Sequence, residues 1–393
     1  MDDLLKLRSK MVSRLDPKYG KYLFVVVLGY YLITQFTNGT MYIMYYPSDA
    51  FPYRLLMVAG LLAFVKIMLF NRFADWKEFA VFLTLGLLIL LGCIACQDWN
   101  FLYYYLLVVA AKDIDFKLIL KEFMIIIGTG LVLTFLSAKL GWIMGLTNSR
   151  DGSAEIRYAL GTVYPTDLAA RIFYLMLAYA MYKKFKFTLP EYVSLVSVTI
   201  WTYVVTDTRL DLGLMVLIIT SGLFRDKIIA LIKVLHVKWT SILSLIGIFS
   251  VIILTYLYQP NNLLFKIFNK LLSGRLEFGQ VAFERYNVTL GGQMVAQNGN
   301  GGIHHGIFDY FFIDCSFLRV LMMNGMISFF ILLFGIYYLT RRFMMQQTYV
   351  LEIALLLVIL SSLLDHHLLE VSYNMLFLAF FANIDYFVGT KQK

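Results

Sequence analysis

Charge is scarce in this chain: 15% of its 393 residues are Asp, Glu, Lys or Arg, whereas 60% are hydrophobic. Soluble domains run at about 25% charged and about 45–50% apolar. A soluble fold is therefore excluded, and a mean hydropathy of +0.73 agrees with an integral membrane protein. Cysteine is nearly absent, and Cys93, Cys96 and Cys315 cannot build a disulfide framework. Cys93-Ile-Ala-Cys96 has the spacing of a redox pair, but it lies in an apolar run without strand–turn context. It reads as two small buried hydrophobes. Residues 1–20 lack a short apolar region followed by a small-residue site, so no cleavable leader is expected. Internal repeats are missing too, including the inverted duplication that marks many transporters. Acids are the scarcer sign, 25 against 34 Lys and Arg, giving a formal net charge of +9. In a soluble protein that excess would suggest nucleic acid. Here the basic residues collect in short loops, and no nucleic-acid partner is expected.

What is abundant is apolar sequence of helical length. A spanning helix needs about 20 mainly apolar residues. By that measure spans are expected near 21–38, 53–70, 79–96, 100–112, 118–138, 166–182, 189–206, 210–224, 240–258, 317–340, 348–364 and 371–389. That makes about twelve, the short fourth being the weakest, in one polytopic domain over 1–393. Lys6, Arg8, Lys10 and Arg14 place the N-terminus in the cytoplasm, and Lys391 and Lys393 place the C-terminus on the same side. Intervening basic loops alternate consistently with that orientation. Residues 227–238 interleave basic and apolar positions and are expected along the inner membrane surface. The opposite side carries two long segments, 139–165 and 259–316. The second, an external loop with short surface helices, contains Gly291-Gly292 and Asn298-Gly299-Asn300-Gly301-Gly302, residues that tolerate positive φ.

Four arginines stand beside these apolar segments on the expected outer side: Arg157, Arg209, Arg275 and Arg285. An arginine near hydrocarbon costs about 2.5–3.5 kcal/mol by insertion scales and usually has an anionic partner. Too few acids lie nearby in sequence to neutralise all four, so they are candidates for binding phosphates. Arg209 lies in Thr206-Asp207-Thr208-Arg209-Leu210-Asp211, a short break between two apolar runs, where a salt bridge within the turn is the competing reading. Pro165 suits a helix start, with Thr166 and Asp167 in its first turn and Arg157 and Arg171 near enough to share an anion. Arg275 and Arg285, ten residues apart in SGRLEFGQVAFERY, fall within about 30–40° of one face of a short surface helix.

Histidines supply candidate bases. His304-His305 are adjacent rather than four apart, which argues against a metal pair; one could act as a general base or contact phosphate, or the pair could have no role. The stretch Asp365-His366-His367-Leu-Leu-Glu370-Val-Ser-Tyr373-Asn374 concentrates more titratable groups than a mere connection requires. Asp113-Ile-Asp115, in a basic cytoplasmic turn, is a weak candidate for a metal-holding pair.

In combination these stretches resemble the Wzy-type polysaccharide polymerases of O-antigen, capsule and exopolysaccharide clusters, which are related to the O-antigen ligases. The likeness rests on Arg157 with Gly161 and Pro165, on Thr208-Arg209, and on Ser273-Gly274-Arg275 ahead of Gly291-Gly292. It also includes Asp314-Cys-Ser-Phe-Leu318 with Asn324-Gly325, and His366 to Asn374. The ligases tend to have a histidine closely followed by asparagine before the last spans; Gly306 follows here, which favours the polymerases. The resemblance implies an all-α polytopic fold of the membrane glycosyltransferase C-type class in a bacterial cytoplasmic membrane, active on its outer face. It implies transfer from a polyprenyl-pyrophosphate-linked oligosaccharide without a metal or other cofactor. A chain-length regulator and a flippase are candidate protein partners, and membrane lipid surrounds the whole.

On that basis Arg157, Arg209 and Arg275 would bind the pyrophosphate, with Arg285 in support. His305, His304 or Glu370 would take the acceptor's proton, Arg209 would assist the departing charge, and His366, His367 and Asn374 would contact substrate. A ligase moving a finished polymer, a transporter or flippase for lipid-linked oligosaccharides, and a non-catalytic scaffold are the rival readings.

Overall fold

The computed structural model describes residues 12, 16–48, 50–149, 155–272, 274–303 and 309–389. In chain order the first helices are α1 (Pro17–Asn38), α2 (Phe51–Phe70), α3 (Trp76–Cys96), α4 (Asn100–Ala110) and α5 (Phe116–Lys139). A small antiparallel hairpin follows, β1 (Thr147–Ser149) with β2 (Ile156–Tyr158), pairing Asn148 with Arg157. Then come α6 (Pro165–Tyr182), α7 (Leu189–Thr206), α8 (Arg209–Leu223) and α9 (Arg225–Tyr256). Two short helices, α10 (Leu263–Leu271) and α11 (Arg275–Arg285), precede α12 (Ser316–Arg319), a π turn (Val320–Asn324), α13 (Gly325–Met345) and α14 (Tyr349–Ser362).

Helix starts follow local chemistry. The side chains of Asp16, Asp75 and Asp115 accept from Lys18, Glu78 and Lys117 N–H groups, and Thr188 with Glu191 forms a capping box. Pro17, Pro52, Pro165 and Pro190 occupy first turns, where a missing N–H costs nothing. Among the described residues, five helical stretches are long and apolar enough to cross a membrane: α2, α3, α5, α9 and the composite Ser316–Met345. Large apolar side chains face outward on them and their neighbours: Leu61, Leu87, Val204 and Phe334 are each more than half exposed. Water would not tolerate so much exposed hydrocarbon, whereas lipid does. The chain is an all-α membrane protein, with α6 and α14 buried on nearly every side at its centre.

One place departs from the sequence expectation, the segment 371–389, while the basic residues 227–238 are set off from the following span by a kink. Residues 227–238 form the start of α9, whose 32 residues would run about 48 Å if straight, more than the roughly 30 Å hydrocarbon layer. The helix breaks at His236, with φ 52° and ψ 172°. Residues 371–389, expected as a twelfth span, form 3-10 turns at Leu376–Phe380 and Asp385–Phe387. Their carbonyls are satisfied from elsewhere in the bundle. Arg342 donates to Ala379 O at 2.6 Å, to Ala382 O at 2.8 Å and to Phe380 O. Tyr104 donates to Asn374 O, and Phe116 N donates to Asn383 O at 2.9 Å. Irregular backbone survives at membrane depth only where protein satisfies it in this way.

Gly291-Gly292 lies against the π turn before α13. Gln293 N donates to Met323 O at 2.8 Å, and Met326 N to Thr289 O at 2.9 Å. A Cβ on Gly292 (φ 98°) would lie 2.7 Å from Met323 O, and one on Gly325 (φ 84°) 2.4 Å from Gly292 N. Only glycines allow residues 289–293 to clasp the bundle so closely.

Candidate active site at one end of the bundle

The turn after α14 gathers side chains from across the sequence. Asp365 accepts from the His366 N–H at 2.8 Å, and its own carbonyl accepts from Ser316 N at 3.2 Å, tying the turn to the start of α12. His367 is 2% exposed and stacks on Tyr373, with ring centroids 3.7 Å apart. Its Nδ1 lies 3.1 Å from Glu370 Oε2, and its Nε2 lies 3.6 Å from Asp365 and 3.7 Å from Asp167. Burial alone would favour a neutral ring. The charges of Asp365, Glu370 and Asp167 outweigh it and raise His367 to about 9. Burial also works against the Glu370 carboxylate, but His367, Arg171 and His366 bring it down to about 2. Asp365 is likewise held below the usual carboxylate range against burial, by His367, His366 and Arg275. Behind this network Arg171, 1% exposed, has its guanidinium carbon 4.7 Å from the Phe36 ring centre and 4.4 Å from that of Tyr373. Gln35 of α1 donates to Glu370.

Asp167, His366 and His367 hold donor atoms within 4.8 Å of one another and could hold a metal ion. A cation there would have to compete with the proton on His367, which three carboxylates favour. The donor set fits an imidazolium hub at least as well.

His366 and Glu370 line a cavity of about 680 Å³. Its wall carries amides (Gln35, Asn38, Asn100, Gln297), aromatic rings (Trp99, Tyr103, Phe312) and one arginine, Arg319. Arg319 Nη1 donates to Gln297 Oε1 at 2.9 Å, its Nη2 lies 3.6 Å from Asp98, and the group sits over Phe312 at 5.1 Å. The cavity's one arginine is thus already engaged. His366 meets Phe312 edge-on with centroids 4.8 Å apart, and its Nδ1 is 3.2 Å from Asp365 Oδ1.

The sequence-selected arginines lie at the same end, outside that cavity. Arg157 is 4% exposed; its Nε donates to Thr206 O at 2.7 Å and its guanidinium faces Tyr164 at 5.6 Å. Arg275 donates through Nε to Leu364 O and through Nη1 to Leu272 O at 3.3 Å, with Asp314 at 3.8 Å. Tyr310 lies within electrostatic reach of both Arg275 and Tyr164, joining the two arginine neighbourhoods. Arg209 is exposed at the first turn of α8 and makes no ion pair with the described residues. Arg285 is about half exposed beside Asp309 and Phe311 and does not share the buried setting of Arg275.

Several expected roles change with this geometry. His304 and His305 lie outside the described residues. Asn374, expected to touch substrate, is 1% exposed: its Nδ2 donates to Leu368 O at 2.9 Å and its Oδ1 accepts from Leu376 N at 3.1 Å. His367 is likewise enclosed by carboxylates rather than open to a ligand, so it orients its neighbours. Asp115 caps α5, which is a structural use of the Asp113–Asp115 pair. Cys93 and Cys96 are buried free thiols, as expected.

Sequence reasoning passed over Gln35, Asp98, Gln297 and Arg319. The run Gln97-Asp98-Trp99-Asn100 was the available signal, because a cluster of polar residues there interrupts two apolar helices. No family model matches the chain, nor does a curated protein or a solved structure.

Proposed function

We propose that this protein is a membrane glycosyltransferase that polymerises polyprenyl-pyrophosphate-linked oligosaccharide repeat units at the outer face of a bacterial cytoplasmic membrane. The observation that carries the proposal is the position of Asp365 and His366 between two chemically different neighbourhoods. On one side is Arg275, within electrostatic reach of Asp365. On the other is the cavity of amides and aromatic rings onto which His366 opens.

The arginine side suits a diphosphate. Backbone carbonyls fix both guanidinium groups, Arg157 through Nε to Thr206 O and Arg275 to Leu364 O and Leu272 O, with Asp314 beside Arg275. Guanidinium groups remain charged at any physiological pH and grip phosphate oxygens in a fork. The cavity suits an uncharged polyhydroxylated acceptor. Amides and carboxylates hydrogen-bond hydroxyls, rings cover sugar faces, and Arg319 is balanced by Asp98. A volume of about 680 Å³ falls in the range of about 300–1,000 Å³ typical of ligand sites.

The acceptor hydroxyl loses its proton to His366, its oxygen bonds to the donor's anomeric carbon, and the bond from that carbon to the pyrophosphate oxygen breaks. Arg275 and Arg157, with Arg209 at the rim, stabilise the charge that develops on the leaving group. Asp365, 3.2 Å from Nδ1, orients the His366 ring. Glu370 is a poorer base than the sequence suggested, because His367 and Gln35 already hold its carboxylate.

The test is to incubate the purified protein with lipid-linked repeat units in EDTA and resolve the products on a gel. A polymer ladder that disappears in Arg275→Ala and His366→Ala is expected. Absence of product from folded wild-type protein that still binds the lipid-linked units would favour a transporter. A ladder that requires added divalent metal would overturn the metal-free mechanism and turn attention to Asp167, His366 and His367.

A further inference from the structure

A second cavity, of about 420 Å³, opens at the far ends of α6, α7 and α8 from the site described above. It lies where the α6–α7 turn meets the α8–α9 turn. Its floor exists because residue 222 is glycine: a Cβ there would come within 2.6 Å of the Phe187 ring and 2.9 Å of the Tyr192 hydroxyl. Lys184 and Phe185 both take φ 55°, and Arg225 fixes this turn by donating from Nε to Lys184 O at 2.8 Å.

Lys186, Arg225 and Lys227 stand on the cavity wall. Asp226 pairs with Arg225 but is itself almost fully exposed. Lys186 and Lys227 have no carboxylate partner among the described residues. The local excess of positive charge registers on Lys184 next door. Burial and then the like charges of Lys117, Lys186 and Arg225 press its ammonium below its ordinary range. The rim is apolar, with Leu223 60% and Phe224 52% exposed. Cations around a cavity with hydrocarbon at its edge, at the end of a membrane-embedded bundle, match a phosphate headgroup whose acyl chains lie along the rim.

We propose that this cavity binds the phosphate headgroup of an anionic membrane lipid, independently of any catalytic role at the other end. In the orientation set by the basic loops, the lipid belongs to the inner leaflet.

The full chain, purified in neutral detergent and stripped of lipid, would be titrated with phosphatidylglycerol in mixed micelles, and bound lipid counted by native mass spectrometry. Saturable binding is expected, with phosphatidylcholine a poor competitor. The Lys186→Ala/Lys227→Ala double variant should bind about tenfold more weakly or worse. Arg225 is kept because it holds the turn, and unchanged thermal unfolding of the lipid-free variant would show that its fold is intact. Equal binding by the double variant, or equal competition by phosphatidylcholine, overturns the proposal. Saturation of the site by millimolar inorganic phosphate would also overturn it, assigning the site to a free anion.

Discussion

The arginine neighbourhood and the amide-lined cavity meet at one turn, yet they hold their arginines in different ways. Arg157 and Arg275 donate to main-chain carbonyls, which fix both side chains in place, and Asp314, Asp365 and Asp211 lie within electrostatic reach of Arg275. In the cavity Arg319 meets Asp98 and Gln297, and the wall is close to neutral. In the proposed reaction this separation keeps the guanidinium groups that face a departing diphosphate apart from the amides and rings that face a sugar. If both functions shared one basic pocket, the acceptor end would compete with phosphate for the same groups.

The comparison can be broken most sharply at the junction. His366→Ala should lower kcat by about 10²–10⁴, the usual scale for losing a general base, with acceptor KM little changed. Single-turnover rates at saturating acceptor measure this, and an unchanged kcat would move the base elsewhere. Arg275→Ala should lower kcat by about 10²–10³, and Arg275→Lys should restore only part because it lacks the planar fork. Equal losses for a repeat unit on a monophosphate carrier would show that Arg275 does not act on the leaving diphosphate.

The third prediction concerns stability. His367 faces Asp167, Asp365 and Glu370, with His366 and Arg171 adjacent, and is raised from 6.5 to about 9. Its contribution to stability is therefore full below about pH 6.5 and lost as pH rises through about 9. The midpoint of thermal unfolding should fall across that interval, and the fall should flatten in His367→Gln. An identical slope in the variant would remove His367 as the hub. The smallest effect belongs to the cavity wall: Gln297→Ala, losing hydrogen bonds worth about 0.5–1.5 kcal/mol, should raise acceptor KM about two- to tenfold at constant kcat. A fall in kcat instead would dissolve the distinction between the two regions.

Much of the fold was legible because lipid imposes a simple rule, that long apolar runs become helices. The helix start at Pro165 could be read directly, whereas Asp115, read as one of a metal-holding pair, caps α5 instead. Residues 371–389 misled because their composition suits a span while the turns they adopt depend on Arg342 and Tyr104, distant in sequence. The same limit applied to the site. Arg157, Arg275, His366 and Glu370 stood out as charges beside apolar runs. Gln35 and Gln297 did not, because an uncharged amide near a helix end or in irregular chain has no local signature, and only tertiary contact brings each to the cavity.

The grip of Arg342 on the carbonyls of 379–382 bears on how the polypeptide is made. A segment whose backbone is satisfied by a side chain of α13 has no independent reason to enter the bilayer when it leaves the ribosome. It must wait until its neighbours are assembled and then dock as the closing piece. Because His367 and Glu370 lie just upstream of it, the histidine–carboxylate network at this end of the bundle becomes complete only once that segment has docked.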